Sequence, residues 1–176
     1  MGRTLVAGFG NVYRRDDGAA WAVVNALRER LGRPPLGLLE DGFDDLGHTL
    51  DTVVLHQLVP ELAETLADYE LVVFLDAHVQ ELADPLREEW LTPAYRMAFV
   101  SHQTHPATVL ALAQQMHGRA PRAVLLSLRG HDFDFGAGLS SRTAALVPHA
   151  VERILALARS AGTPLPHSDD PSAARG

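Results

Sequence analysis

The chain contains no cysteine, and all fifteen of its basic side chains are arginine, so lysine is missing too. These two gaps exclude whole chemistries. Without Cys there is no thiol nucleophile, thiolate metal site, iron–sulfur cluster or disulfide. Without Lys there is no Schiff base and no Walker A loop, whose Lys must reach nucleotide phosphates. Isoleucine is nearly absent as well, Ile154 being the single one. A joint preference for Arg, Val and Leu reads most simply as nucleotide bias, so the gaps narrow mechanism without revealing purpose. No run approaches the roughly 18 apolar residues of a membrane-spanning helix. The polar start Gly2-Arg3-Thr4 leads directly into apolar residues without the pattern of a signal peptide. The expectation is a cytoplasmic protein with no membrane insertion.

What remains for chemistry is 13 Asp, 9 Glu, 9 His and the hydroxyls, a set suited to carboxylate, imidazole and metal work. A net charge of −7 with scattered Arg argues against a nucleic-acid partner, which would require a basic stripe. At 176 residues, 47% of them hydrophobic, the chain is long enough for one domain with a substantial core. That domain is expected over residues 1–162. Residues 163–176, polar and Pro-rich, read as a disordered tail.

Apolar runs at 5–9, 36–40, 52–55, 71–75, 97–100 and 123–128 read as strands. The run at 71–75 has no polar alternation, as in a strand covered on both faces. Helical spacing follows Asp16-Asp17-Gly18 through Trp21, Val24, Leu27 and Leu31, and follows Pro60 through Leu62 and Leu66. It recurs after Pro106 through Val109, Leu110 and Ala113, and again along Val147, Val151, Ile154, Leu155 and Ala158. Strands and helices alternating in this way predict a three-layer α/β fold, with a central twisted, mostly parallel sheet of about five or six strands and helices on both faces.

In open α/β sheets, ligands bind beyond the carboxyl ends of the strands. Following that edge gives Gly8-Phe9-Gly10-Asn11 with Asp16-Asp17, then Asp41-Gly42, then Asp76-Ala77-His78, then Ser101-His102-Gln103. Taken singly, each has an ordinary structural role: Asp16 and Asp17 as helix caps, Asp76 as a turn residue, His102 as a turn histidine. Their common placement at strand ends points instead to a site. Two carboxylates and one imidazole suit a divalent ion such as Zn, Ni, Mn or Fe with open coordination positions. His48, His56, His78, His117, His131, His149 and His167 read mostly as surface or turn residues.

The run Gly8-Phe9-Gly10-Asn11, four residues, then Asp16-Asp17-Gly18 resembles the opening signature of the hydrogenase maturation proteases. These endopeptidases trim the C-terminal extension of the large subunit of nickel–iron hydrogenases. The likeness continues through Asp41-Gly42, Phe74-Leu75-Asp76-Ala77, Ser101-His102 and Gly138-Leu139-Ser140. The resemblance implies that Asp17, Asp76 and His102 form the metal-binding and catalytic set. It implies that Asn11, Asp16 and Asp41 contact substrate or support those ligands, and that the divalent metal is nickel carried by the substrate, the large-subunit precursor. His105 competes with His102; His102 is favoured because it directly follows an expected strand, whereas Pro106 opens a helix. Two features depart from the family pattern: Ala20 stands where a second Gly is usual, and Asp17 where Glu is common. Arg14 and Arg15 in the signature loop either dock an acidic partner surface or are solvated loop charges. Two other readings stay open: a metal-binding maturation chaperone or sensor that does not cut, and a nucleotide-binding α/β protein using the loop at 8–11.

Overall fold

The computed structural model describes residues 2–96 and 103–165. Its sheet has five strands in the order β2-β1-β3-β5-β4, where β1 is Thr4–Phe9, β2 Leu50–Leu55, β3 Leu71–His78, β4 Leu86–Leu91 and β5 Arg122–Arg129. The first three and β5 run parallel, and β4 pairs antiparallel to β5 at one edge.

Side chains alternate across a strand, and this parity divides the core in two. Val6, Val73, Leu75, Val124 and Leu126 face one layer, formed by α1 (Ala19–Arg30) and α5 (Val147–Ser160). Leu5, Ala7, Phe9, Val72 and Phe74 face the other, formed by α2 (Leu62–Thr65) and α3 (Pro106–His117). A further short helix, α4 (Ser141–Ala144), leads into α5. The three-layer α/β architecture is therefore as expected, with apolar strand runs explained by cover on both faces.

The individual strands differ in two places. Residues 36–40 do not form a strand. Leu36 is buried, but Leu39 is fully exposed, and the backbone at Leu36 is satisfied by a side chain rather than a neighbouring strand. The Asn25 amide donates to the Leu36 carbonyl at 3.1 Å and accepts from the Leu36 N–H at 2.8 Å. Conversely, β4 is a strand the apolar pattern did not mark, since its sequence LREEWL carries three charges and lies half exposed. Such charges suit an antiparallel edge, where they discourage pairing with another chain. The expected strand at 97–100 lies outside the described residues.

The segment after Pro60 is shorter than its spacing suggested: α2 spans four residues and continues as a single tighter turn. Thr163, where the tail was expected to begin, is buried, and its hydroxyl lies 2.7 Å from that of Thr4. No helix among the described residues is long and apolar enough to cross a membrane.

Candidate active site at the carboxyl edge of the sheet

The loop leaving β1 is shaped by close approaches. Gly8 lies against α1, where a Cβ would sit 3.2 Å from both Ala20 Cβ and Val24 Cγ2. Gly10 adopts φ 149°, and a Cβ there would come within 2.0 Å of the Asp17 carbonyl oxygen. Glycine is required at Gly10 both by conformation and by space. The Ala20 methyl group is this near to Gly8 and fits the packing between α1 and β1.

Asp16 and Asp17 have different fates. Asp16 is completely buried. Its carboxylate accepts from the N–H groups of His131 (2.7 Å), Asp132 (2.9 Å) and Ser140 (2.8 Å) and from the hydroxyls of Ser140 (2.7 Å) and Thr143 (3.0 Å). Burial works against its charge, but the bonds from His131, Ser140 and Asp132 outweigh it and bring the carboxyl down to about 2. Asp16 thus ties the signature loop to the segment containing Gly138-Leu139-Ser140, joining two blocks that are more than 100 residues apart in sequence.

Asp17 remains partly exposed, and its Oδ2 accepts the Asn11 N–H at 2.8 Å. Asn11 in turn uses its side-chain oxygen to accept the Tyr13 N–H at 2.9 Å, fixing the turn. Asp76 follows the five buried residues of β3 and shares strand parity with Val72 and Phe74, on the α2 and α3 side of the sheet. Burial pushes its carboxyl up to about 7; the Ala77 N–H, bonded at 2.8 Å, opposes the rise, and the negative charge of Asp17 adds to it. The turn Arg15–Gly18, which carries Asp17, packs against β3, and Asp76 lies at the carboxyl end of that strand.

Asp41 is elsewhere. Its side chain accepts from the Phe43 N–H, its carbonyl accepts from Val54, and it lines a separate concavity with Arg28, Arg33 and Asp45 near the end of α1. His102 lies outside the described residues. His105 caps α3, its Nδ1 accepting the Ala107 N–H at 3.0 Å, and burial followed by the Arg96 charge holds it below the ordinary imidazole value. Among the described residues, no group of three or more His, Asp or Glu side chains is arranged to hold a metal ion. Arg14 and Arg15 are both engaged within the chain: Arg14 donates to the Phe133 carbonyl and lies over the Phe135 ring, and Arg15 pairs with Asp132 at 3.5 Å.

Asp17 opens onto a concavity of about 490 Å³ lined by Asn11, Tyr13, Arg14, His56, Gln57 and Gln103. His56, read from sequence as a surface or turn residue, is the unexpected member. The signal was available, because His56 directly follows β2, so the same strand-end logic that singled out Asp76 applied to it. Two carboxylates immediately before α1 also make that helix N-terminus a poor seat for a nucleotide phosphate.

The fold is that of the hydrogenase maturation endopeptidases. The chain is similar to the hydrogenase maturating endopeptidase HybD from E. coli, with a TM-score of 0.72 and 23% identity over 96% of this chain and 99% of that one. It is also similar to the [NiFe] hydrogenase maturation protease HycI from Thermococcus kodakarensis KOD1, with a TM-score of 0.62 and 19% identity over 90% and 93% of the two chains. A third likeness is to the [NiFe] hydrogenase maturation protease HybD from Thermococcus kodakarensis, at 0.60 and 21% over 89% and 99%. No family model matches the chain, and no curated protein sequence matches it significantly.

Proposed function

We propose that the protein is an endopeptidase that removes the C-terminal extension of a nickel-loaded [NiFe]-hydrogenase large-subunit precursor. What supports the reading is a fold shared along almost its whole length with hydrogenase maturation endopeptidases, in which the turn carrying Asp17 packs against the strand that ends at Asp76. In this reading Asp17, Asp76 and His102 meet the nickel borne by the precursor, and the divalent metal is part of the substrate. Gln103, next in the chain to His102, lines the same concavity as Asp17, which supports the assignment. Asn11 fixes the Asp17 carboxylate through its N–H, Asp16 holds the loop from beneath, and Asp41 acts on a more distant part of the substrate.

The chemistry follows from the carboxyl pair. A group near pH 7 exists in both protonation states at neutral pH and can take up or return a proton during peptide hydrolysis. A nearby divalent cation favours its ionised form. In this reading, discrimination between nickel-loaded and empty precursor has a physical basis, because a cation beside Asp76 offsets the cost of its negative charge. The proposed compartment is the cytoplasm.

The test is to incubate the protein with nickel-loaded and nickel-free precursor and to weigh the large subunit by mass spectrometry. Loss of a C-terminal peptide from the loaded form alone is expected. A precursor of unchanged mass in both reactions, with each protein correctly folded, contradicts the proposal.

A further inference from the structure

His56 is an exposed side chain held in place by aromatic neighbours. Its ring is parallel to that of Tyr13, with an interplanar angle of 3° and centroids 6.1 Å apart, and it tilts against Trp21 at 5.2 Å. Trp21 is buried and is itself anchored, its Nε1–H donating to the Gly10 carbonyl at 3.1 Å. The Gly10 N–H donates to the Leu55 carbonyl at 3.0 Å, so the residue preceding His56 is bonded to the signature loop. Among the described residues, no hydrogen bond engages either ring nitrogen of His56. An imidazole flanked on its faces, its polar edge free of hydrogen bonds to the described residues, lines the same concavity as Asp17, Asn11 and Gln103.

From this geometry we propose that His56 is a substrate-contacting residue, whose ring nitrogens hydrogen-bond the backbone of the precursor segment drawn toward Asp17 and Asp76. This rests on the proposed endopeptidase function and adds a binding residue to it. Such a contact is favoured because Tyr13 and Trp21 flank the ring and restrict its rotamers before the peptide arrives. Tyr13, more than half exposed, extends the same platform toward solvent and offers an aromatic face to a neighbouring side chain of the peptide. The role is one of binding and orientation, so it is felt in KM more than in kcat.

The experiment compares wild type with His56→Phe, which keeps the stacking surface but has no polar edge, and with His56→Gln, which keeps a donor and an acceptor. With nickel-loaded precursor, His56→Phe is expected to raise KM about tenfold while kcat stays within about twofold. His56→Gln is expected to recover most of that loss. Melting temperatures of both variants, measured in parallel, are expected to match wild type. Cleavage by wild type together with an unchanged KM for His56→Phe overturns the role of His56 and leaves the endopeptidase function standing. Equal losses in both variants, accompanied by lower melting temperatures, overturn it in favour of a purely structural ring. Failure of wild type to shorten the precursor removes the function and this role together.

Discussion

Of the adjacent residues Asp16 and Asp17, one serves structure and the other faces the site. Asp16 accepts five hydrogen bonds in a buried position, and its charge is what makes all five favourable at once. Asp16→Asn keeps the shape but replaces one oxygen with a donor that faces other donors. Removing one partner of a buried charged network costs far more than a surface change, here roughly 3 kcal/mol. Ser140→Ala removes only a hydroxyl and is expected to cost about 1 kcal/mol. Urea denaturation of the three proteins checks both figures. Equal stability of Asp16→Asn and wild type would show that the network does not hold the two segments together. The resemblance assigns Asp17 to the metal-binding set and Asp16 to substrate contact or support, but the residues of the loop alone do not show that Asp16 turns inward. The burial of Asp16 depends on His131, Asp132, Ser140 and Thr143, contributed by the distant segment between β5 and the first turn of α4.

At the level of elements, the parallel core strands were legible because each is covered on two faces and leaves an unbroken apolar run. Two errors have the same cause in reverse. β4 lies at the edge of the sheet with none of its residues fully buried, so its pattern is charged and mixed. The segment at 36–40 has the apolar composition of a strand but no neighbouring strand to pair with; Asn25 holds Leu36 instead, and Arg28 holds the flanking Pro34 and Asp45. Arg28 is buried and donates to the Pro34 carbonyl at 2.7 Å, to Thr52 Oγ1 at 3.0 Å and to Asp45 Oδ2 at 2.9 Å. One guanidinium thereby joins α1, the loop that follows it and β2. Such a fork cannot be replaced by an apolar chain of similar length. Arg28→Met is expected to cost about 2 kcal/mol and to leave the loop carbonyl and the Thr52 hydroxyl without their donor. Amide exchange should accelerate within residues 34–45 and at Val54, whose N–H donates to the Asp41 carbonyl, while β1 and β3 keep their protection. Uniformly faster exchange across the sheet would instead mean that Arg28 supports global stability and not this loop. Asp41 belongs to the same connection, which explains why a residue adjacent to the site in sequence logic lies in a different concavity in space.

For the whole molecule, Asp16 and Asp76 make stability depend on pH in opposite directions, and the signs follow from their shifts. The Asp16 carboxyl is held at about 2, below its ordinary value, so its contribution is fully present above about pH 4 and is lost as pH falls toward 2. Asp76 is held near 7, so the folded state binds a proton that the unfolded chain releases near pH 4. Its burial therefore reduces stability progressively as pH rises from about 4 to about 7, and the full penalty applies above that. His78 and His105, held below the ordinary imidazole value chiefly by burial, act in the opposite sense over part of this interval. A wild-type pH profile alone mixes these effects, whereas the difference between wild type and Asp76→Asn isolates the carboxyl. In a chelator, Asp76→Asn is expected to be more stable than wild type by roughly 1 to 3 kcal/mol at pH 8, with a smaller gain at pH 5. The same substitution is expected to abolish processing of the precursor. Urea denaturation at the two pH values reads the first effect and mass spectrometry of the precursor the second. A stability gain independent of pH would show that the carboxyl is not charged against its surroundings. A gain that grows with pH together with lost processing identifies Asp76 as a group whose ionisation opposes folding and serves the reaction, so that the site is held at the expense of the fold around it.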